Sequence, residues 1–221
     1  MKGTLRYLAG TAGPSGHGSK STAEQVAESC SYSIDTRRLT AIITGIGAET
    51  ARVMAKRGVR VVIAARDRKK AAKLKEGIQR DINPNAEIIV LEIDLSSLAS
   101  VKKFCTQFLA LGLPLNILMA FFIDRIVDRE DDRNSRADRD PRKNHKPFFC
   151  DSQLDSLFFI ASKLLKSTSQ GASSTCYVAL SPQAQGMNGK YFADCNESNC
   201  SALADDESEA QRLWRQTRAL L

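Results

Sequence analysis

A parallel, doubly wound α/β sheet of about four strands is the architecture this sequence predicts, and three observations carry it. Short apolar runs at 39–44, 59–65, 87–93 and 115–120 alternate with stretches of helical spacing, which is the order of a parallel sheet with crossover helices. The second run, Val59-Arg60-Val61-Val62-Ile63-Ala64-Ala65, is too continuous for a half-exposed strand and reads as one covered on both faces. Gly45 and Gly47 separate the first run from the helical stretch behind it, as a strand–turn–helix–strand unit with a right-handed crossover requires. The sheet is Rossmann-like and incomplete. The alternation stops near residue 121, and extra helices are expected towards the C-terminus.

The elements follow in order. Gly13-Pro14-Ser15-Gly16 marks a turn. Ser21-Thr22-Ala23-Glu24 places a hydroxyl three residues before an acid, a capping box that starts a short helix. Leu39 to Thr44 is the first strand, and residues 49–57 are the first crossover helix. Gly58 stands where a helix C-terminus calls for positive φ. Asp67 caps a helix over Arg68 to Arg80, with Ala72, Leu74 and Ile78 on its buried side and Lys69, Lys70, Lys73 and Lys75 on a solvated one. After the turn at Pro84-Asn85 comes a strand over Glu87 to Ile93. Ser96 or Ser97 caps the next helix, where Leu98, Val101, Phe104, Cys105, Phe108 and Leu109 recur at helical spacing. Gly112 and Pro114 stop it, and Leu115 to Ala120 is a fourth, short strand.

The regular pattern then breaks. Residues 124–147 hold seven acids and eight bases, so the segment is mixed rather than cationic and lacks the apolar residues to build a core. Leu157, Phe158, Ile160, Ala161, Leu164 and Leu165 give an amphipathic helix. A small-residue helix over Gln170 to Leu180, a turn and short strand over Gly186 to Asp194, and a helix over Asp205 to Leu221 complete the chain. That last helix carries Ala210, Leu213, Trp214 and Leu220 on one side. Four parts are expected: a lead-in with a short helix over 1–38, a Rossmann-like nucleotide-binding half over 39–122, a charged and disordered segment over 123–153, and a C-terminal helical remnant over 154–221.

Composition narrows the function. A net charge of +7 without a clustered basic face argues against nucleic acid. No apolar run reaches the roughly 18 residues of a membrane span. The six cysteines form no Cys-x-x-Cys pair and there are two histidines, so no metal site is expected. The N-terminus is Ser/Gly-rich and low in acids, and reads as a flexible lead-in or, loosely, a transit peptide. The first strand–turn–helix unit is a candidate dinucleotide site, because free N–H groups and the dipole at a helix N-terminus favour a phosphate.

The residues also carry a resemblance. TAIITGIGAETARVMAKRGVRVVIAARD, followed by LEIDLSSLASV and LPLNIL, resembles the short-chain dehydrogenase/reductase family, in particular its plant retinol-dehydrogenase-like branch, which includes a component of the chloroplast inner-envelope import machinery. The leader GPSGHGSKSTAEQV and the stretch LFFIASKLLKSTSQGASSTCYVALSPQAQGMNGKYFADCNES resemble that branch as well. The resemblance implies a cofactor site at Thr44, Gly45, Ile46, Gly47, Arg66, Asp94 and Leu95. Arg66 stands where the family's NAD-preferring members have an acid, and so resembles an NADP selector; it also reads as a surface arginine. Asp94-Leu95 resembles the contact to the adenine amino group, and Asp94 reads equally as a helix cap. The family's glycine turn is four residues longer than Thr44-Gly45-Ile46-Gly47, so NADP binding is expected to be weak or lost.

The catalytic half does not carry over. Met119-Ala120-Phe121-Phe122 replaces the family's Asn-Asn-Ala-Gly, and Thr11, Thr36, Ser181 and Cys195 stand four residues after the four tyrosines, so the family's Tyr-x-x-x-Lys is absent. No catalytic residue is assigned. By resemblance the chain is an NADP-dependent short-chain oxidoreductase of carbonyls or alcohols, internally truncated and impaired in turnover. The alternatives are a non-catalytic derivative that binds a nucleotide or a protein partner, and a defective truncated product whose exposed sheet edge aggregates. Resemblance implies a chloroplast location; without it the chain reads as cytoplasmic.

Overall fold

The computed structural model describes residues 7, 9–30, 35–45, 47–121, 166–202 and 204–220. The charged segment 124–147 and the helix expected over Leu157 to Leu165 lie outside these residues.

Four parallel strands form the central sheet: β1 (Thr40–Thr44), β2 (Arg60–Ala65), β3 (Ile88–Glu92) and β4 (Ile117–Met119), in the spatial order β3-β2-β1-β4. Thr40 lies opposite Arg60, Val61 opposite Ile88, and Ala41 opposite Ile117. Asn116 and Thr40 lock the start of the edge pair. The Asn116 N–H donates to the Thr40 carbonyl at 3.1 Å, and the Asn116 side-chain oxygen accepts from the Thr40 N–H at 2.9 Å.

Strand alternation explains the continuous apolar run. Ala41, Ile43, Val61 and Ile63 point into one core, and Ile42, Val62 and Ala64 into another. Side chains of successive strand residues take opposite faces, so β1 and β2 need apolar residues at every position to be covered twice. The sheet is therefore doubly wound. Helix α2 (Ala48–Lys56) and helix α3 (Arg68–Asp81) cover the first face, and helix α4 (Leu98–Ala110) covers the second through Val101, Phe104 and Phe108. Leu98, Cys105 and Leu109, expected on the buried stripe of α4, are exposed. One helix on one face shields only its facing stripe.

The ends of these helices follow the sequence closely. Gly58 has φ +82°, and Gly58 and Val59 donate to the carbonyls of Ala55 and Met54, both at 3.1 Å, which closes α2 in a Schellman motif. The Asp67 carboxylate accepts from the Lys70 N–H at 3.0 Å and starts α3. Ser97, rather than Ser96, caps α4, accepting from the Ser100 N–H. At helix α1 (Ala23–Cys30) the capping box is displaced by one residue from the expected Ser21 and Glu24. Thr22 Oγ1 accepts from the Gln25 N–H, and the Gln25 side chain accepts from the Thr22 N–H at 3.0 Å. A glutamine satisfies the box as well as an acid.

Helices from before and after the sheet pack on the first face. Helix α6 (Ser173–Leu180) and α1 join the sheet core, with Val26, Ala27, Cys176 and Leu180 nearly inaccessible, and the short helix α5 (Thr168–Gly171) precedes α6 without a buried residue of its own. The expected single helix over Gln170 to Leu180 is thus two, divided at Ala172. A hairpin of β5 (Tyr191–Ala193) and β6 (Asn196–Ser198) follows, where one strand was expected. Residues 15–20 of the lead-in are tied down. Asn196 accepts from the Ser15 N–H at 3.0 Å and donates to the His17 carbonyl at 2.9 Å, and the Gln170 side chain donates to the Lys20 carbonyl. Helix α7 (Glu207–Leu220) presents Leu213 and Trp214 to solvent, each 65% exposed. The expected apolar side of that helix finds no cover among the described residues.

Candidate functional site

At the carboxyl ends of β1, β2 and β3 a cavity of about 660 Å³ opens. In an open α/β sheet this is where ligands bind. Thr44 and Gly45 supply its wall from β1, Arg66 and Asp67 from β2, and Asp94, Leu95 and Ser96 from β3. Ala48 brings in the N-terminus of α2, and Lys70 and Leu74 form the side facing α3.

Each expected site residue has a defined place or falls outside the described chain. Thr44 ends β1, is 5% exposed, and its hydroxyl accepts from the Phe121 N–H at 3.0 Å. Gly45 takes φ +64°, a conformation side-chain-bearing residues rarely adopt, and a Cβ there would meet the Phe121 carbonyl oxygen at 3.0 Å. Ile46 lies outside the described residues. Gly47 is the N-cap of α2 and makes no side-chain cap, which leaves the first N–H groups of the helix without that partner. It does not line the cavity; Ala48 does. Arg66 is exposed at the cavity rim.

Asp94 is not a helix cap. Its carboxylate folds onto Ser96, accepting from the Ser96 hydroxyl at 2.7 Å and the Ser96 N–H at 3.0 Å, while Ser97 caps α4. The Ser96 hydroxyl first, and then its N–H, hold the Asp94 carboxyl below the ordinary carboxylate value; the positive charge of Arg66 acts in the same direction. Leu95 is 45% exposed and lies along the cavity.

Lys70, Ser96 and Phe121 also line the cavity. In sequence Lys70 reads as one lysine on a solvated face, but Asp67 starts α3 so that Lys70 falls one turn in, beside the cavity. Ser96 reads in sequence as a helix cap, and here it holds Asp94 at the cavity. Phe121 offered no signal beyond standing where the family motif is missing. A second cavity, of about 570 Å³, runs along the open edge of β4 and is walled by Asn116 to Phe121, by Ser174, Thr175, Val178 and Ala179 of α6, and by Phe192. Phe121 lines both.

The cysteines are closer in space than in sequence. Cys30, Cys176 and Cys195 are all buried in the first-face core. Burial, the largest cause, pushes the Cys176 thiol up to about 12 and raises Cys195 as well, so both are neutral packing groups. Among the described residues no group of three or more His, Cys, Asp or Glu is placed to hold a metal, and no helix is long and apolar enough to cross a membrane.

Comparison with known proteins agrees with this geometry. A family model described as short chain dehydrogenase matches residues 38–120, which span all four parallel strands. Short-chain dehydrogenase TIC 32 B, chloroplastic, of Brassica napus is 32% identical, over 94% of this chain and 95% of its own length. That alignment runs over 308 residues against a chain of 221, so the relative carries long stretches with no counterpart here. Retinol dehydrogenase 12 of Mus musculus is 26% identical over 83% of this chain and 85% of its own. Among solved structures, a metagenomic short-chain oxidoreductase in complex with NADP is 31% identical over 36% of this chain and 37% of its own, with a TM-score of 0.33. The chain is an internally truncated member of the short-chain dehydrogenase/reductase family, a family of oxidoreductases.

Proposed function

We propose that this chain is a nucleotide-binding member of its family that retains the adenosine end of an NADP site and does not turn over substrate. The observation that carries the reading is the convergence of Thr44, Gly45, Arg66, Asp94 and Leu95, which come from three strand ends, on one cavity. Arg66 supplies the charge a 2′-phosphate calls for, since guanidinium–phosphate bonds are strong and directional. Lys70 adds a second cation at the same wall. Asp94, held ionised by Ser96, is a ready acceptor for an exocyclic amino group, and Leu95 offers an apolar surface for a base.

Hydride transfer to a carbonyl also needs a proton donor of matched pKa. The chain has no tyrosine followed four residues later by a lysine, and losing acid/base catalysis alone removes roughly 10²–10⁴-fold in rate. Both chloroplast relatives from Brassica napus support a plastid location for the protein.

Titration of the purified chain with NADPH by fluorescence or calorimetry, followed by an assay with a retinal-like carbonyl, tests the reading. Saturable binding without NADPH consumption is expected. Steady turnover would overturn the non-catalytic part, and absence of binding in a folded sample would overturn the cofactor part.

A further inference from the structure

Phe121 stands at the point where the crevice ends. The cavity crosses the tips of β3, β2 and β1 and stops at this residue, two positions beyond β4. The ring lies on Gly47: a Cβ at that glycine would sit 2.6 Å from Phe121 Cε2 and 3.0 Å from Cδ2. Gly47 caps α2, so an apolar ring covers the approach to the helix N-terminus, the position at which a sheet of this type holds a pyrophosphate. The residue is fixed there. Its N–H is held by Thr44, and its carbonyl oxygen lies against Gly45. Phe121 also lines the second cavity, along the β4 edge. It is thus shared by two spaces, one rimmed by Arg66 and Lys70 and the other lined mainly by β4 and α6.

We infer that the crevice is a half-site: it accepts a 2′-phosphorylated adenosine, and Phe121 denies the pyrophosphate and the second nucleoside of a dinucleotide their place. The inference rests on the reading of the crevice as an adenosine site. It adds that the second half of the cofactor contributes nothing to affinity, and it names the residue responsible. With the ring in place a charged pyrophosphate meets an apolar neighbour instead of the α2 N–H groups, and burying an unpaired phosphate is strongly unfavourable.

Calorimetric titration of the full chain with adenosine 2′-monophosphate and with NADP⁺ tests this. In the wild type the two dissociation constants are expected to agree within about threefold. In Phe121→Ala, where the two cavities join, NADP⁺ is expected to tighten at least tenfold relative to adenosine 2′-monophosphate. A wild-type preference for NADP⁺ above threefold overturns the half-site, as does a Phe121→Ala ratio that rises less than tenfold. Phe121→Val takes the place of the alanine variant if circular dichroism shows the latter unfolded, and the wild-type ratio needs no variant. Failure of both ligands to bind a folded wild type, or binding of both that is indifferent to Arg66→Ala, overturns the adenosine-site reading itself and is distinguishable from a wrong ratio.

Discussion

The hydroxyl of Thr44 accepts a hydrogen bond from the backbone N–H of Phe121 at 3.0 Å, across 77 residues of sequence. The end of β1 and the chain leaving β4 are thereby joined at the mouth of the crevice. Thr44→Val keeps the volume and removes the acceptor, so the partly buried Phe121 N–H loses its partner. A loss of about 1–2 kcal/mol is expected, read from urea unfolding. A variant as stable as the wild type would show that this bond does not hold the mouth together.

Gly47 is fitted to two neighbours. A Cβ there would lie 2.4 Å from Ile43 Cγ2 as well as 2.6 Å from the Phe121 ring. Gly47→Ala is expected to destabilise the chain by about 1–3 kcal/mol through overpacking. Adding Phe121→Ala should recover only part of that loss, because Ile43 remains in the way. Full recovery in the double-mutant cycle would place the whole clash on the ring.

Arg66 is expected to govern the choice of phosphorylated ligand. Arg66→Ala should weaken adenosine 2′-monophosphate roughly tenfold or more, the worth of a charge-assisted hydrogen bond, with little effect on adenosine. Because Arg66 is exposed, the wild-type affinity should also fall as salt rises. Equal losses for both ligands would assign Arg66 a packing role instead.

His17 makes stability depend on pH. Partial burial holds its imidazole below the ordinary 6.5. The unfolded chain then binds a proton more readily than the folded one, and stability rises with pH in that window. The contribution is complete above 6.5 and is lost as pH falls through the folded value. Unfolding midpoints followed between roughly pH 5 and 8 should fall on the acid side, and His17→Gln should flatten that slope. Its ring partner, the Ser29 hydroxyl at 3.0 Å, can bond either form, so a slope unchanged by the substitution would assign the pH effect elsewhere.

The open edge is a liability that one charge should correct. Among the described residues β4 pairs only with β1, and Leu118 is 64% exposed. Leu118→Lys is expected to raise the soluble fraction at a given concentration without lowering the melting temperature, since edge lysines discourage strand addition. Unchanged light scattering would mean that association runs through another surface, such as the one bearing Leu213 and Trp214.

Local chemistry was legible in the sequence, and distant chemistry was not. Gly58, Asp67 and Ser97 act within three or four residues of themselves, and the continuity of Val59 to Ala65 reports a strand covered twice without reference to anything else. The three candidates at the ends of β2 and β3, Arg66, Asp94 and Leu95, all line the one cavity there. What escaped depends on partners far along the chain. Asn196 reads as one polar residue in a turn, yet it binds Ser15 and His17 across about 180 positions. Phe121 reads as one more apolar residue after a strand, and only the approach of β4 to β1 puts its ring against Gly47. The Thr22–Gln25 box was missed by one position because Ser21 and Glu24 satisfy the same pattern.

The reach of Asn196 has a consequence in time. Helix α1 has eight residues, too few to persist alone in water, and its apolar face of Ala23, Val26, Ala27 and Cys30 closes mainly on α6. At synthesis rates of about 5–20 residues per second, roughly 8–30 s separate the emergence of the two helices. During that interval α1 lacks the helix it packs on, and once β4 has emerged the first face of the sheet still waits for α6. A truncation after Leu180 keeps α6 but removes Asn196, so α1 should stay seated while Ser15 and His17 lose their anchor.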